Sequence, residues 1–287
     1  MAITRHIANL ILSEHKFKPI QNNVLLLGRQ TVFMTPDQAI KLVESFGIEI
    51  KSGIKINFGS TADAPKNTFI EDKSFFSLFS EANVLACDIS DYEGADIIFD
   101  LSDNPPPDLI NHFNFIYNGS VLDNLSDPFN AINNVSKMLT DDGVAFHEEG
   151  MNHDSPAYFK FCPDWFFDYA AINKFTDCQT FVCTHDDVHL SPWVVLEAHP
   201  YYFDTENNIR LTKAIKLTNH AAVISIMNKG PFSTTNLKPI QKEYRKNHTD
   251  YLTFFQLIYN SERRRALQGS NFVSSVNSGY NFLKEVF

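Results

Sequence analysis

Val24-Leu25-Leu26-Leu27-Gly28 is the stretch that decides the fold: four apolar residues in an unbroken run, stopped by a glycine. A strand with one wet face alternates apolar and polar positions, so a run without alternation suits a strand covered on both faces, as in a parallel sheet. Thr35-Pro36 then gives the cap-then-proline order that opens a helix, with Ile40, Leu42, Val43 and Phe46 as its apolar side and Gly47 as its stop. The same unit recurs. Asn83-Val84-Leu85-Ala86-Cys87 closes at Asp88, Ala95-Asp96-Ile97-Ile98-Phe99 closes at Asp100, and Phe113-Asn114-Phe115-Ile116-Tyr117 runs into Asn118-Gly119. Asp127-Pro128 opens a helix with Phe129, Ile132, Val135, Met138 and Leu139 inward; Asp141-Asp142-Gly143 is a turn, and Val144-Ala145-Phe146-His147 is a fifth strand. Residues 179–183 and 221–227 are the sixth and seventh. The alternation predicts an α/β chain with a doubly wound sheet of about seven strands and helices on both faces.

Between these units, residues 51–68 are polar and aperiodic and read as an insertion. Phe75, Phe76, Leu78 and Phe79 resume helical spacing, and Pro163 opens an aromatic helix through Trp165, Phe166 and Tyr169. Residues 1–230 form the predicted domain. Residues 231–287 are a helical C-terminal extension packed on it, without a second core.

Composition narrows the partners. At 287 residues with 44% hydrophobic content the chain can bury a full core. A net charge of −10 speaks against a nucleic-acid backbone as partner, since such binding draws on Lys and Arg. The run Arg263-Arg264-Arg265 reads as a solvated helix face. Cys87, Cys162, Cys178 and Cys183 have neither C-x-x-C nor secreted-scaffold spacing and read as reduced thiols of a cytoplasmic protein. Ile3, Ile7, Leu10 and Ile11 recur at helical spacing, but His6, Glu14, His15 and Lys16 rule out a signal peptide there, and nothing approaches the roughly 20 apolar residues of a membrane span.

In a doubly wound sheet, ligands bind beyond the carboxyl ends of the strands. The five strand ends here carry Gly28, Asp88, Asp100, Asn118 and His147, a set suited to a nucleotide-like ligand. Asp88 can accept two hydrogen bonds from vicinal ribose hydroxyls, or cap its own turn.

The order of Asp88-Ile89-Ser90-Asp91-Tyr92-Glu93-Gly94-Ala95, Ile98-Phe99-Asp100-Leu101, Phe115-Ile116-Tyr117-Asn118-Gly119 and Met138-Leu139-Thr140-Asp141-Asp142-Gly143 resembles the class I S-adenosylmethionine (SAM) dependent methyltransferases. It is similar in particular to a bacterial subgroup linked to surface-glycan pathways, which carries Leu-Gly-Arg-Gln in place of the glycine-rich loop; Leu27-Gly28-Arg29-Gln30 stands there. The resemblance covers roughly residues 20–185 and implies a Rossmann-like fold with SAM as cofactor. It further implies that Gly28 lets the backbone approach the methionine part and that Arg29 or Gln30 contacts its carboxylate. Asp88 would hold the ribose, Asp100 and Leu101 would flank the adenine, and Asn118 and Gly119 would lie under the sulfonium. The chain departs from the family where Asn118 replaces an acid and Asn124 a histidine.

A hydroxyl acceptor must lose its proton, a task suited to imidazole near neutral pH. In His147-Glu148-Glu149-Gly150-Met151-Asn152-His153-Asp154, His153 sits where the related family has a histidine and is the expected base, with His147 and Asp154 next. Tyr158, Phe161 and Trp165 would shape the acceptor pocket, or serve as plain core aromatics. The cluster around His147, and His185-Asp186-Asp187-x-His189, carry metal-ligand residue types but read as polar loops, and no metal is expected. Asn104-Pro105-Pro106-Pro107 lies before the fourth strand, on the wrong side for an amino-methyltransferase motif. Tyr280-x-x-x-Lys284 copies a dehydrogenase pair, but on an expected C-terminal helix. The expected activity is O-methylation of a small-molecule hydroxyl, on a sugar, glycan precursor or other metabolite. The alternatives are a degenerate methyltransferase-fold binding protein and a nucleotide-cofactor oxidoreductase, the latter opposed by the missing G-x-G-x-x-G.

Overall fold

The computed structural model describes residues 2–50, 52–62, 64–152, 157–186, 194–198, 220–240, 249–259, 261, 273–276 and 280–284. The apolar run forms β2 (Asn23–Leu27), which lies between two parallel neighbours, β4 (Asn83–Asp88) and β6 (Phe113–Gly119). Beyond β4 comes β5 (Ile97–Ile98), and beyond β6 comes β7 (Leu139–Gly150), both parallel to their neighbours. β10 (His220–Asn228) runs antiparallel to β7 and to β8 (Asp177–His185). Numbered by chain order, these seven strands stand 3-2-1-4-5-7-6, with only the seventh reversed. The chain is a mixed α/β doubly wound fold of Rossmann-like type.

Alternation of side chains across each strand sends two apolar sets to opposite faces. Val24, Leu26, Phe115, Tyr117, Val144 and Phe146 pack with Ile7 and Ile11 of α1 (Arg5–Phe17), Leu42 of α2 (Pro36–Ser45) and Phe75 and Phe76 of α3 (Asp72–Ser77). Leu25, Leu27, Ile116 and Ala145 pack on the other face with α4 (Pro128–Met138), α5 (Pro163–Ile172) and α6 (Thr249–Tyr259). The caps follow from the sequence: Thr35 accepts from the Gln38 amide while Gln38 reaches back to the Thr35 amide, and Asp127 accepts from the Asn130 amide.

Three features differ from expectation. Asp141-Asp142-Gly143 does not end an element; it lies inside β7, where the pairing with β6 slips between Phe113 and Phe115 and Asp142 takes a positive φ of 67°. The strand then runs past His147 to Gly150, so His147 sits within the sheet rather than at its edge. The C-terminal extension is not wholly helical: β11 (Val273–Val276) and β12 (Tyr280–Lys284) join β9 (Val194–Ala198) and widen the sheet to ten strands, so Tyr280 and Lys284 lie on an outer strand. β1 (Ala2–Ile3), unforeseen, pairs with β3 (Thr31–Val32) just after the β2 turn. No described helix is long and apolar enough to cross a membrane.

Because Leu26 is fully buried, Leu26→Ala should lower the urea unfolding free energy by about 2–5 kcal/mol. Ile98→Ala, at a residue that is 54% exposed, should change it by about 0.5 kcal/mol or less.

Candidate functional site

The chain leaves β2 for β4 on one side and returns to β6 on the other, and the divergence opens a crevice at the carboxyl ends of these strands. It forms a cleft of about 290 Å³ lined by Leu27 and Gly28 at the end of β2, Cys87, Asp88 and Ile89 at the end of β4, Phe99, Asp100 and Leu101 after β5, and Ser120, Val121, Asn124 and Leu125 after β6. Gly28, Asp88, Asp100 and Leu101 thus lie along one cleft. Gly28 has φ 70° and donates its amide to the Cys87 carbonyl at 2.7 Å, a conformation open to glycine without strain. Asp88 and Asp100 are half-buried, and each accepts through Oδ1 from the amide two residues on, Ser90 at 3.4 Å and Ser102 at 2.8 Å. Both carboxylates shape their own turns and still face the cleft.

Arg29 and Gln30 do not line it. The Arg29 Nε lies 3.0 Å and 3.2 Å from the two Asp72 oxygens, and Nη2 lies 2.7 Å from Asp72 Oδ1 and 2.9 Å from Glu71 Oε1. Nη1 donates to the carbonyls of Glu93 and Gly94 at 3.4 Å and 3.3 Å. Burial alone would lower the guanidinium pKa, but the bonds and charges of Asp72 and Glu71 outweigh it and raise it. Gln30 donates its amide to Asp72 Oδ2 at 2.7 Å and its Nε2 to the carbonyls of Leu27 and Gly28 at 2.9 Å and 3.2 Å. The Leu-Gly-Arg-Gln segment is therefore a turn bound to α3 and to the loop after β4. Its arginine is engaged by protein carboxylates, where the resemblance implied a ligand carboxylate.

Asn118, His147 and Glu149 lie on the same face of β6 and β7 and are fully buried. Asn118 Oδ1 accepts from the Val121 amide at 3.0 Å, which fixes the orientation of its side chain. Its Nδ2 then donates to His147 Nδ1 at 3.1 Å and to Glu149 Oε1 at 2.6 Å. With Nδ1 accepting, the proton of a neutral His147 resides on Nε2, which finds no partner among the described residues. Burial lowers the imidazole pKa to about 3. The ring is tilted over Phe166 at 5.4 Å between centroids. In this tautomer its free nitrogen donates, which suits a hydrogen-bond donor better than a base. The backbone at Gly119 is closely packed: a Cβ there would stand 2.5 Å from Gln30 Oε1 and 3.0 Å from the Tyr117 ring.

His153 and Asp154 lie outside the described residues. Tyr158 is 75% exposed, whereas Phe161 is buried, with its ring 4.9 Å from Trp165 and 5.5 Å from Phe166. The segment before α5 turns back over the site, since the Phe159 amide donates to the Asp123 carbonyl at 3.1 Å and the Phe161 amide to the Gly150 carbonyl at 3.0 Å. Among the described residues no group of three His, Cys, Asp or Glu side chains could hold a metal ion.

Sequence reasoning missed the acids that organise the site. Asp72 opens a six-residue helix with no distinguishing signal, and Asp123 follows the expected cofactor motif by four residues. Glu149 was visible only as one acid among several.

No family model matches the chain, and no curated protein does. Among solved structures, it is similar to the CMeT domain of the citrinin polyketide synthase at 10% identity and TM-score 0.41, covering 79% of this chain and 52% of that one. It is similar to the CurJ carbon methyltransferase at 11% identity and TM-score 0.39, covering 78% and 55%. The O-methyltransferase from a trans-AT PKS multienzyme of Brevibacillus brevis, in complex with S-adenosyl-L-homocysteine, matches at 10% identity and TM-score 0.40, covering 88% and 75%. The chain spans about half the length of the first two. Likenesses this distant carry no weight on activity.

The buried imidazole gives a pH prediction. Unfolded His147 takes up a proton near its ordinary 6.5, whereas the folded ring resists protonation down to about 3. Its contribution to stability is therefore present above 6.5 and lost as pH falls toward 3, at roughly 1.4 kcal/mol per pH unit within that window. In an NMR titration the His147 ring resonance should stay fixed from about pH 8 to 5. A sigmoidal change centred near its ordinary value would show that the ring is not sealed.

Proposed function

We propose that this chain is a SAM-dependent methyltransferase that O-methylates a hydroxyl of a small molecule, such as a sugar, a glycan precursor or another metabolite, in the cytoplasm. The observation that carries the reading is the cleft at the switch point of the sheet, where Gly28, Asp88, Asp100 and Leu101 converge. The strand order supports it. The reversed seventh strand between the fifth and sixth sets this sheet apart from the dinucleotide-binding order 3-2-1-4-5-6, which has no such insertion. The turn after β2 also lacks the G-x-G-x-x-G that seats a pyrophosphate.

The residues present fit the cofactor's chemistry. Leu27, Ile89, Phe99, Leu101, Val121 and Leu125 supply apolar walls for an adenine ring, and Asp100 supplies an acceptor for its amino edge. Asp88 accepts the ribose hydroxyls. Gly28 admits the amino-acid part close to the backbone. When bound, SAM supplies a methyl group made electrophilic by the sulfonium. The protein aligns donor and acceptor and removes the hydroxyl proton. His153, three residues beyond the end of β7 in the sequence, is the proposed base, with Asp154 next and His147 serving as a donor; Tyr158 and Phe161 border the acceptor.

A second reading has one observation in its favour. Asn118 stands where the resemblance expects an acid, and both of its amide hydrogens are already engaged, which suits a protein that binds the cofactor without turnover.

SAM or S-adenosylhomocysteine should raise the thermal midpoint while NAD and NADP leave it unchanged; about 2.7 kcal/mol follows at a hundredfold excess over Kd. Asp88→Ala should keep the fold and cost about 2–3 kcal/mol of binding by calorimetry. Equal stabilisation by NAD, or unchanged SAM affinity in Asp88→Ala, would contradict the assignment.

A further inference from the structure

The wall of the cleft contributed by β6 contains no regular element apart from one short 3-10 turn, Leu122–Asn124, yet its backbone is unusually constrained. Ser120 takes φ 64°, a left-handed conformation that a residue with a Cβ adopts at a cost. Something must hold it there. The Ser120 amide donates to the Glu148 carbonyl at 2.7 Å, and its hydroxyl donates to Asp123 Oδ2 at 2.6 Å. The Leu122 and Asp123 amides point at a single side chain from the neighbouring strand: Leu122 N lies 3.1 Å from Glu149 Oε1 and Asp123 N lies 3.2 Å from Glu149 Oε2. Asn118 adds the third bond to Glu149, at 2.6 Å, and itself accepts from the Val121 amide.

We infer that Glu149 is a positioning residue, whose buried carboxylate holds the wall at residues 118–125 in its strained shape and so sets the affinity for the adenosyl ligand. The inference rests on the methyltransferase reading and goes beyond it in assigning a role to a residue that does not line the cleft. Three donors converge on Glu149, while Ser120, Val121, Asn124 and Leu125 face the ligand space. The arrangement asks for a carboxylate. An amide in its place has one accepting atom, so either Asn118 and Leu122 or Asp123 would meet a donor instead. Burial pushes the Glu149 pKa up, with the nearby Asp123 charge adding to the effect and the three donated bonds opposing it. Glu148, one residue earlier, faces the opposite side of the sheet, where the Tyr117 hydroxyl lies 2.9 Å from its Oε2.

The test measures the Kd for S-adenosylhomocysteine by calorimetry, well below each variant's unfolding midpoint, in wild type, Glu149→Gln and Glu148→Gln. Glu149→Gln should weaken binding roughly 10- to 100-fold, and Glu148→Gln should stay within about twofold of wild type. Hydrogen exchange on unliganded wild type gives a readout that needs no variant: the Leu122 and Asp123 amides should be protected like those of β6. If wild type fails to bind the ligand, the methyltransferase reading falls. If wild type binds and Glu149→Gln binds equally well, the role of Glu149 is overturned. Should Glu149→Gln not fold, rapid exchange of both amides in wild type would overturn it instead.

Discussion

The structure depends on the burial of β2 on both faces. Val24, Leu25 and Leu26 are fully excluded from water, and Leu27 is 2% exposed. A strand with apolar side chains in both directions needs a neighbour along each edge and a helical layer over each face. β4 and β6 supply the edges; α1 to α3 cover one face and α4 to α6 the other. From this constraint comes the cleft. The chain must leave β2 between two parallel neighbours whose own continuations diverge, so the carboxyl end of β2 opens into a space that only loops can line. Gly28 stands at that exit.

Loops lining such a space carry backbone groups that cannot all reach water, and this protein meets the difficulty with buried charge. Arg29 and Asp72 tie the turn after β2 to α3, and the same guanidinium holds the carbonyls of Glu93 and Gly94. Asn118 and Glu149 do the corresponding work on the other wall. Buried ion pairs gain little net stability, because desolvation offsets their attraction, but removing one partner is costly. Their effect here is to give loops without regular structure one defined shape, as a binding cleft requires.

The legible parts of the sequence were local. The four-residue run of β2, the Thr35-Pro36 cap and the polar closures at Asp88 and Asp100 each declare themselves within a few neighbours, and the structure places them as read. What could not be read was adjacency. Asp72 lies 43 positions from Arg29, and Glu149 lies 31 from Asn118, so their pairing exists only once the sheet has assembled. Arg29 therefore read as free to meet a ligand. The turn at Asp141-Asp142-Gly143 misled for a different reason: a bulge and a chain reversal use the same residues, and only pairing across to β6 distinguishes them. The outer strands β11 and β12 are short and depend on pairing far along the chain, β12 with β9 and β11 with β12.

A crystal structure of the protein grown with S-adenosylhomocysteine would test the account most directly. The account predicts the ligand in the cleft between β2, β4 and β6, with its ribose hydroxyls on Asp88, its adenine beside Leu101 and Val121, and Arg29 still paired with Asp72. A ligand bound elsewhere, or Arg29 released from Asp72 to meet the ligand carboxylate, would contradict it.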